Sequence, residues 1–387
     1  MAHGGDRYRN RVEYDFSVNV NPLGMPRVLQ DAIQSAAGSA AFYPDPEQEA
    51  SRRAAAAFYG ERAGLRLSPE WMIPGNGASE LIMAVIHALH PRKVLLPAPV
   101  FTGYLRAICG IRDEGSGRGT EEGTVADSGT DKVQINEYPA AWEHGFQPDA
   151  EFADRITPDT DLVILVNPGN PGGSMIAPGV LRALLQKTAA YGIPVLLDEC
   201  FLEFTGKEAE SGLHLQEKYS NLLVLRAFTK IFAMPGVRLG CLICREKELG
   251  KQIRATLPEW NLSCFAEAVL AAAGEHRKVL YDFLDETAWE TARLRERMKE
   301  GLYDTGRRFG RTIEICPSEA NFLLTDGWGI PGRRLFDALL AKGILVRCCG
   351  DMPPLTDDRI RISVRPEAEQ DRLFGAFAEI MSGQDTE

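Results

Sequence analysis

The stretch from residue 221 to 244, NLLVLRAFTKIFAMPGVRLGCLIC, limits the fold more than any other part of the chain. Residues 222–225 are a run of four apolar side chains, a pattern that suits a strand covered on both faces and therefore a sheet enclosed by helices. The end of that strand delivers Thr229 and Lys230, with Arg238 eight residues beyond the lysine. Open α/β sheets bind their ligands at the carboxyl ends of strands, and partial desolvation there lowers a lysine toward a nucleophilic amine. A lone loop lysine is by itself far more simply read as a solvated charge. Its neighbours in the fold decide between the two.

Other strand signals point to the same edge. Residues 162–166 run into NPGNPGG, and 195–197 run into Asp198-Glu199. Residues 178–191 between them read as the crossover helix of a right-handed βαβ unit. Further upstream, 94–96 is a strand with Tyr104 just beyond it, and WMIPGNGASELIMAVIHALH reads as strand, glycine turn and helix. The helix opened by Gly75-Asn76-Gly77 presents free N–H groups near Ala78 and Ser79, where an anion can bind, although an ordinary capped helix has the same pattern.

The flanks differ in texture. DFSVNVNPLGMP at 15–26 is too rich in Pro, Gly and polar residues for a helix interior and reads as an arm or lid, followed by a helix ending at Gly38. AFYPDPEQEASRRAAAAFYG then puts Tyr43 on a turn, with Asp45-Pro46-Glu47 starting the next helix. Residues 113–131 are dense in Gly, Ser, Thr and acids and read as an exposed, dispensable insertion. Beyond Pro258 the chain becomes long, charged and helical, closing with two strand-like runs around Arg347 and Arg361. These shifts divide the chain into an arm at 1–44, a large domain at 45–262 and a smaller domain at 263–387. The expected fold is α/β: a large domain with a mostly parallel central sheet flanked by helices, and a small α+β domain built from the arm and the C-terminal third.

Composition matters here chiefly for what it excludes. A formal net charge of −11 argues against a nucleic-acid or anionic-membrane partner, while leaving room for a basic pocket that takes a small anion. No apolar run approaches a membrane span, and MAHGGDRYRNRVEY lacks a signal-peptide core, which reads as a cytoplasmic protein. Eight cysteines without regular spacing suit reduced thiols. Cys241 and Cys244 form a CxxC inside a strand-like run and are read as core residues.

An acid that follows an apolar strand is, alone, most simply a strand-end cap. With Lys230, Arg238 and the helix start at Gly77, Asp198 instead completes a set that fits one cofactor: a phosphate for the helix and arginine, an aldehyde for the lysine, a pyridinium nitrogen for the carboxylate. That cofactor is pyridoxal 5′-phosphate. At these residues the chain resembles the fold-type I class I/II aminotransferases over nearly its whole length and in motif order. Within them it looks most like the threonine-phosphate decarboxylases of cobalamin synthesis, with histidinol-phosphate aminotransferase as the sister family.

The resemblance implies that Lys230 bonds the cofactor aldehyde, that Asp198 meets the ring nitrogen and that Asn170 meets the ring hydroxyl. It implies a phosphate site made by Ala78, Ser79, Thr229 and Arg238, a stacking role for Tyr104, and a homodimer in which Tyr43 reaches the neighbouring subunit's phosphate. On the substrate side it points to His3, Asn21, Arg347, Arg361 and Arg365, and so to a small anionic phosphorylated amino acid. A disordered terminus for His3 and a surface ion pair for Arg365 remain the simpler readings of those residues alone. One departure tilts the expectation toward decarboxylation of threonine or serine phosphate: Phe201 stands where aminotransferases usually carry a tyrosine. A second departure, Gly172-Gly173 where the family commonly has Thr-Gly, is easily accepted by a tight turn. Transamination of histidinol phosphate or a related amino acid with 2-oxoglutarate is the alternative.

Overall fold

The computed structural model describes residues 4–110 and 133–383. The expected insertion at 113–131 and His3 therefore lie outside the described residues.

The arm begins with β1 (Tyr14–Asp15) and leads to α1 (Arg27–Ser35) and α2 (Glu49–Ala63). Asp45 supports the start of α2, accepting from the backbone N–H groups of Glu47 and Glu49 at 3.0 and 2.8 Å. The large lobe follows: β2 (Met72–Gly75), α3 (Ala78–Leu89), β3 (Lys93–Ala98), α4 (Thr102–Gly110), β4 (Gln134–Pro139), β5 (Leu162–Val166), α5 (Pro178–Tyr191), β6 (Val195–Asp198), β7 (Leu222–Ala227), α6 (Phe228–Ile231) and β8 (Gly240–Cys244). Then come α7 (Lys247–Ala255), α8 (Cys264–Glu275), α9 (Arg277–Arg308), β9 (Glu314–Ile315), β10 (Phe322–Asp326), α10 (Gly332–Ala341), β11 (Ile344–Leu345), β12 (Arg347–Cys348), β13 (Ile360–Ser363) and α11 (Glu367–Ser382).

Seven strands form the central sheet in the order β2-β8-β7-β6-β5-β3-β4. Only β8 runs against its neighbours β2 and β7; the other pairings are parallel. The apolar runs explain this arrangement, because every residue of β5, β6 and β7 is buried and such strands need cover on both faces. α5 provides the crossover between β5 and β6 over the expected residues. Register aligns Val166 with Asp198 and Asp198 with Leu225, so three adjacent strands end side by side. Cys241 and Cys244 are buried within β8, and burial pushes both thiols up to about 12, which leaves them inert at neutral pH.

The second lobe is an antiparallel sheet in the order β12-β13-β10-β9 with α10 and α11. The arm is stitched into it: β1 pairs in parallel with β11, Phe16 is fully buried in the smaller core, and its amide donates to Leu345 O at 2.7 Å. The division expected at 262/263 sits earlier than the packing suggests. α8 together with Leu280 and Leu284 of α9 belongs to the larger core, and the smaller cluster takes up α9 only from Leu294. We therefore propose that the lobes part within α9.

Candidate active site

The site lies where β5, β6 and β7 end. A cavity of about 290 Å³ opens there, lined by residues of both lobes and of the arm. Lys230 lines it from α6, one turn beyond β7. Desolvation, then the nearby charges of Arg361 and Arg238, lowers its ammonium to about 8, so a neutral amine is available close to physiological pH. The polypeptide carbonyl of Lys230 accepts from the Asn21 amide at 3.0 Å, tying the arm to this turn.

Asp198 occupies the end of β6. Its Oδ2 accepts from the Tyr104 hydroxyl and its Oδ1 from the Cys200 amide at 2.9 Å. Burial raises this carboxyl, and these donors pull it back toward the charged form. The next residue faces away, as strand alternation requires: Glu199 accepts from Gly212 N and Ser211 Oγ, each at 2.7 Å, and lies 3.4 Å from Arg226.

A cationic cradle forms at the start of α3. Gly77 has φ of +86°, and a Cβ there would lie 2.6 Å from Arg238 Nη2, so the guanidinium packs over the glycine turn. A Cβ on Gly240 would come within 2.9 Å of the Ala78 nitrogen, which is how closely β8 approaches the helix start. The first N–H groups of α3 have no intrahelical partner and, with Arg238 at φ +58° beside them, make an anion site. Thr229 lines the same pole, its hydroxyl donating to Leu239 O at 3.3 Å.

A second cationic pole comes from the small lobe. Arg347 and Arg361 are cross-strand partners of β12 and β13, both buried and both lining the cavity. Arg361 donates to the Asn170 side-chain oxygen and, at 3.2 Å, to Ser17 O. Its Nε is buried without a hydrogen-bond partner among the described residues, and burial lowers the group to about 10. A buried guanidinium with an unanswered donor is a place for an anion.

The structure thus brings together Lys230, Asp198, Asn170, Thr229, Ala78, Ser79, Tyr104, Arg238, Arg347 and Arg361. Three expected site residues stand elsewhere. Asn21 is buried beneath α6, donating to Ile231 O at 2.6 Å and Thr287 Oγ1 at 2.9 Å; Asn19, two residues earlier, lines the cavity instead. Arg365 pairs with Glu369 at 2.9 Å, both side chains being partly buried. Tyr43 is 81% exposed and rests on Trp260, away from the cavity of its own chain. Gly4 and Ser17, named in the sequence only as parts of HGG at 3–5 and of SVNVNPLG, also line the cavity, as do Phe101, Cys200 and Met352, which sequence reading did not single out. Ser17 and Asn19 carried a signal: their two-residue spacing in SVNVNP puts them on one face of an extended segment.

The profile of the family described as aminotransferase class I and II matches residues 12–112 and 128–377. The chain belongs to that family. It is similar to threonine-phosphate decarboxylase of Salmonella typhimurium, 28% identical over 377 residues that cover 95% of this chain and 91% of that protein. It is as similar to histidinol-phosphate aminotransferase 1 of Mannheimia succiniciproducens, 28% identical over 370 residues, with 94% and 88% covered. Among solved structures it resembles the histidinol-phosphate aminotransferase of Clostridium acetobutylicum, with a TM-score of 0.80, 26% identity, and 96% and 99% of the two chains covered.

As a member of this family the protein is an enzyme dependent on pyridoxal 5′-phosphate. Its cavity fits that cofactor: a helix start and guanidinium for the phosphate, a low-pKa amine for the aldehyde, and a hydrogen-bonded carboxylate for the ring nitrogen all border one space. Among the described residues no helix is long and apolar enough to cross a membrane.

Proposed function

We propose that this enzyme decarboxylates a phosphorylated hydroxy amino acid, threonine phosphate or serine phosphate, to a phosphorylated amino alcohol. The observation that carries this reading is the second cationic pole. Arg238 and the start of α3 already provide for the cofactor phosphate, and the cavity's other two guanidiniums, Arg361 and the Asp351-paired Arg347, face the space that anionic groups of the substrate would take. When bound, pyridoxal phosphate supplies the electron sink for the pair left at the substrate's Cα when a bond there breaks.

The chain's own residues do the rest. Lys230 is the amine that would hold the cofactor through its aldehyde, and the same amine would carry the proton that replaces CO₂ at Cα. Asp198, whose charged form the donors Tyr104 and Cys200 favour against burial, would face the ring nitrogen and favour its protonated form. Asn170 would meet the ring hydroxyl, Tyr104 would cover the ring, and Ala78, Ser79, Thr229 and Arg238 would hold the phosphate. Arg347 and Arg361 orient the substrate, and orientation decides which bond at Cα is broken. Phe201 in the cavity wall brings no hydroxyl to the ring, in keeping with the decarboxylase branch.

A homodimer belongs to this reading. Phe42 and Tyr43 are 76% and 81% exposed, with Trp260 beside Tyr43, an apolar tip suited to a neighbouring subunit's site. The eight unpaired cysteines fit a cytoplasmic enzyme. Transamination of histidinol phosphate is the second reading, favoured by similarity to histidinol-phosphate aminotransferases at the same 28% identity. Purified holoenzyme given threonine, serine and histidinol phosphates separates them: CO₂ release without an oxo-acid acceptor supports decarboxylation, and strict dependence on the acceptor supports transamination.

A further inference from the structure

The phosphate cradle is held in shape by a side chain that is not among those lining the cavity. Gly77 opens α3 and has no side chain with which to cap it. Glu80, in the first turn of α3, reaches back out of the helix, and its Oε2 accepts from the backbone N–H of Asn76 at 2.6 Å. A glutamate at this helical position ordinarily reaches the N–H of the capping residue. Here that N–H is taken, because Gly77 donates to Gly75 O at 2.7 Å. The carboxylate therefore bonds one residue further out, and the two bonds together hold the turn 75–77. The N–H groups of Ala78 and Ser79, which line the cavity, are left for an anion. Room around the turn is small: a Cβ on Gly75 would lie 3.1 Å from the same Glu80 oxygen and 2.6 Å from Leu81 Cδ2. A displaced Asn76 thus shifts both the helix start and the glycine on which Arg238 packs. Glu80 is itself oriented by Asn261, whose Nδ2 donates to the same Oε2 at 2.8 Å. Asn261 is fixed in turn, since its oxygen accepts from Gln48 Nε2 and its neighbour Trp260 rests on Tyr43 with ring centroids 4.8 Å apart.

We propose that Glu80 is a positioning residue for the cofactor phosphate: by holding Asn76 it keeps Gly77, the Ala78 and Ser79 N–H groups and Arg238 in the arrangement that a phosphate fills. The role is one of reach, not of charge. A carboxylate in a first helical turn repels a phosphate at the same helix start, so its charge by itself weakens the cradle. What it contributes is an acceptor oxygen delivered to one backbone N–H. Donors already fixed in place bind an anion more tightly than donors that must be ordered when it arrives. Loss of the bond therefore falls on the phosphate and leaves the aldehyde and ring contacts, made by Lys230 and Asp198 on other strands, as they were.

The test reads cofactor affinity rather than turnover, and compares pyridoxal 5′-phosphate with pyridoxal, which has the same aldehyde and ring but no phosphate. Full-length wild type, Glu80→Asp and Glu80→Gln are freed of cofactor and titrated with each compound, following the visible band. Glu80→Asp keeps the charge and loses the reach; Glu80→Gln keeps the reach and loses the charge. The expected result is a Kd for pyridoxal phosphate raised about fivefold to tenfold in Glu80→Asp and changed by less than about twofold in Glu80→Gln, with pyridoxal changed by less than about twofold in both. Equal weakening of both compounds in Glu80→Asp would show a general loss of structure and overturns the proposal. So does a Kd for pyridoxal phosphate that is unchanged or lowered in Glu80→Asp, or raised as far in Glu80→Gln as in Glu80→Asp.

Discussion

Arg361 of the small lobe donates to the side-chain oxygen of Asn170, a residue 191 positions earlier in the large lobe. The residue expected to meet the cofactor ring and the residue expected to bind substrate are therefore one hydrogen-bonded unit. Movement of either lobe must be felt by both ligands. A lysine at 361 has a point charge but no planar fork, so Arg361→Lys should lower kcat/KM by a hundredfold or more, on the order of 3 kcal/mol, while the cofactor spectrum persists. Steady-state kinetics with the visible band as a loading control checks this, and an unchanged kcat/KM would refute it.

Lys230→Ala should abolish the visible band of bound cofactor together with all turnover, because no other amine among the described residues borders the cavity. Full turnover in this variant would end the scheme.

The low ammonium pKa of Lys230 sets a pH dependence. Only the neutral amine attacks an aldehyde, and the group, lowered to about 8, is protonated below that value and neutral above it. The rate at which the visible band appears when cofactor is added to apoprotein should rise with pH through about 8 and then level off. A rise continuing to the ordinary lysine range would show that the cavity does not desolvate the amine. The sign for stability follows: a lysine lowered on folding weakens the apoprotein below pH 8, and this cost is relieved as pH climbs from there toward the unfolded value.

Tyr104→Phe removes a donor from Asp198 while retaining the ring. A buried carboxylate that loses one hydrogen bond costs about 1–3 kcal/mol, and here the loss falls on the charged form. Cofactor affinity and kcat should each fall about tenfold or more, measured by equilibrium dialysis and initial rates. Full retention of both would leave the hydroxyl without a part in charging Asp198.

Asn19 and Asn21 should separate cleanly. Asn21→Ala deletes two buried hydrogen bonds under α6, so a lowered melting temperature, reflecting about 2–4 kcal/mol, is expected with little change in KM. Asn19→Ala should raise KM with little change in melting. The opposite pattern would restore Asn21 to the substrate side.

The central sheet and its catalytic edge were legible in the sequence because both depend on local order. Runs such as LVILV can be buried only as covered strands, and the residue after each run is carried to the sheet edge by the strand itself. Asp198 ends one such run and Asn170 and Lys230 lie a few residues beyond two others, and parallel register aligns the three strand ends at Val166, Asp198 and Leu225. The cradle at Gly77 was legible for the same reason, since a glycine turn and a helix start are adjacent in the chain.

Tertiary structure decided what depends on partners far away. Whether Asn19 or Asn21 faces the cavity is set by where the arm crosses α6 and β13, which no local pattern encodes. Arg361 faces the cavity and Asn170, whereas Arg365, four residues on, turns to Glu369. The carboxylate that Asp351 lays on Arg347 depends on the path of a loop closed by Gly350 and Asp357. Burial and pairing of charges are collective properties of the folded chain, so the sequence by itself determined which groups could do chemistry, and packing determined which of them meet.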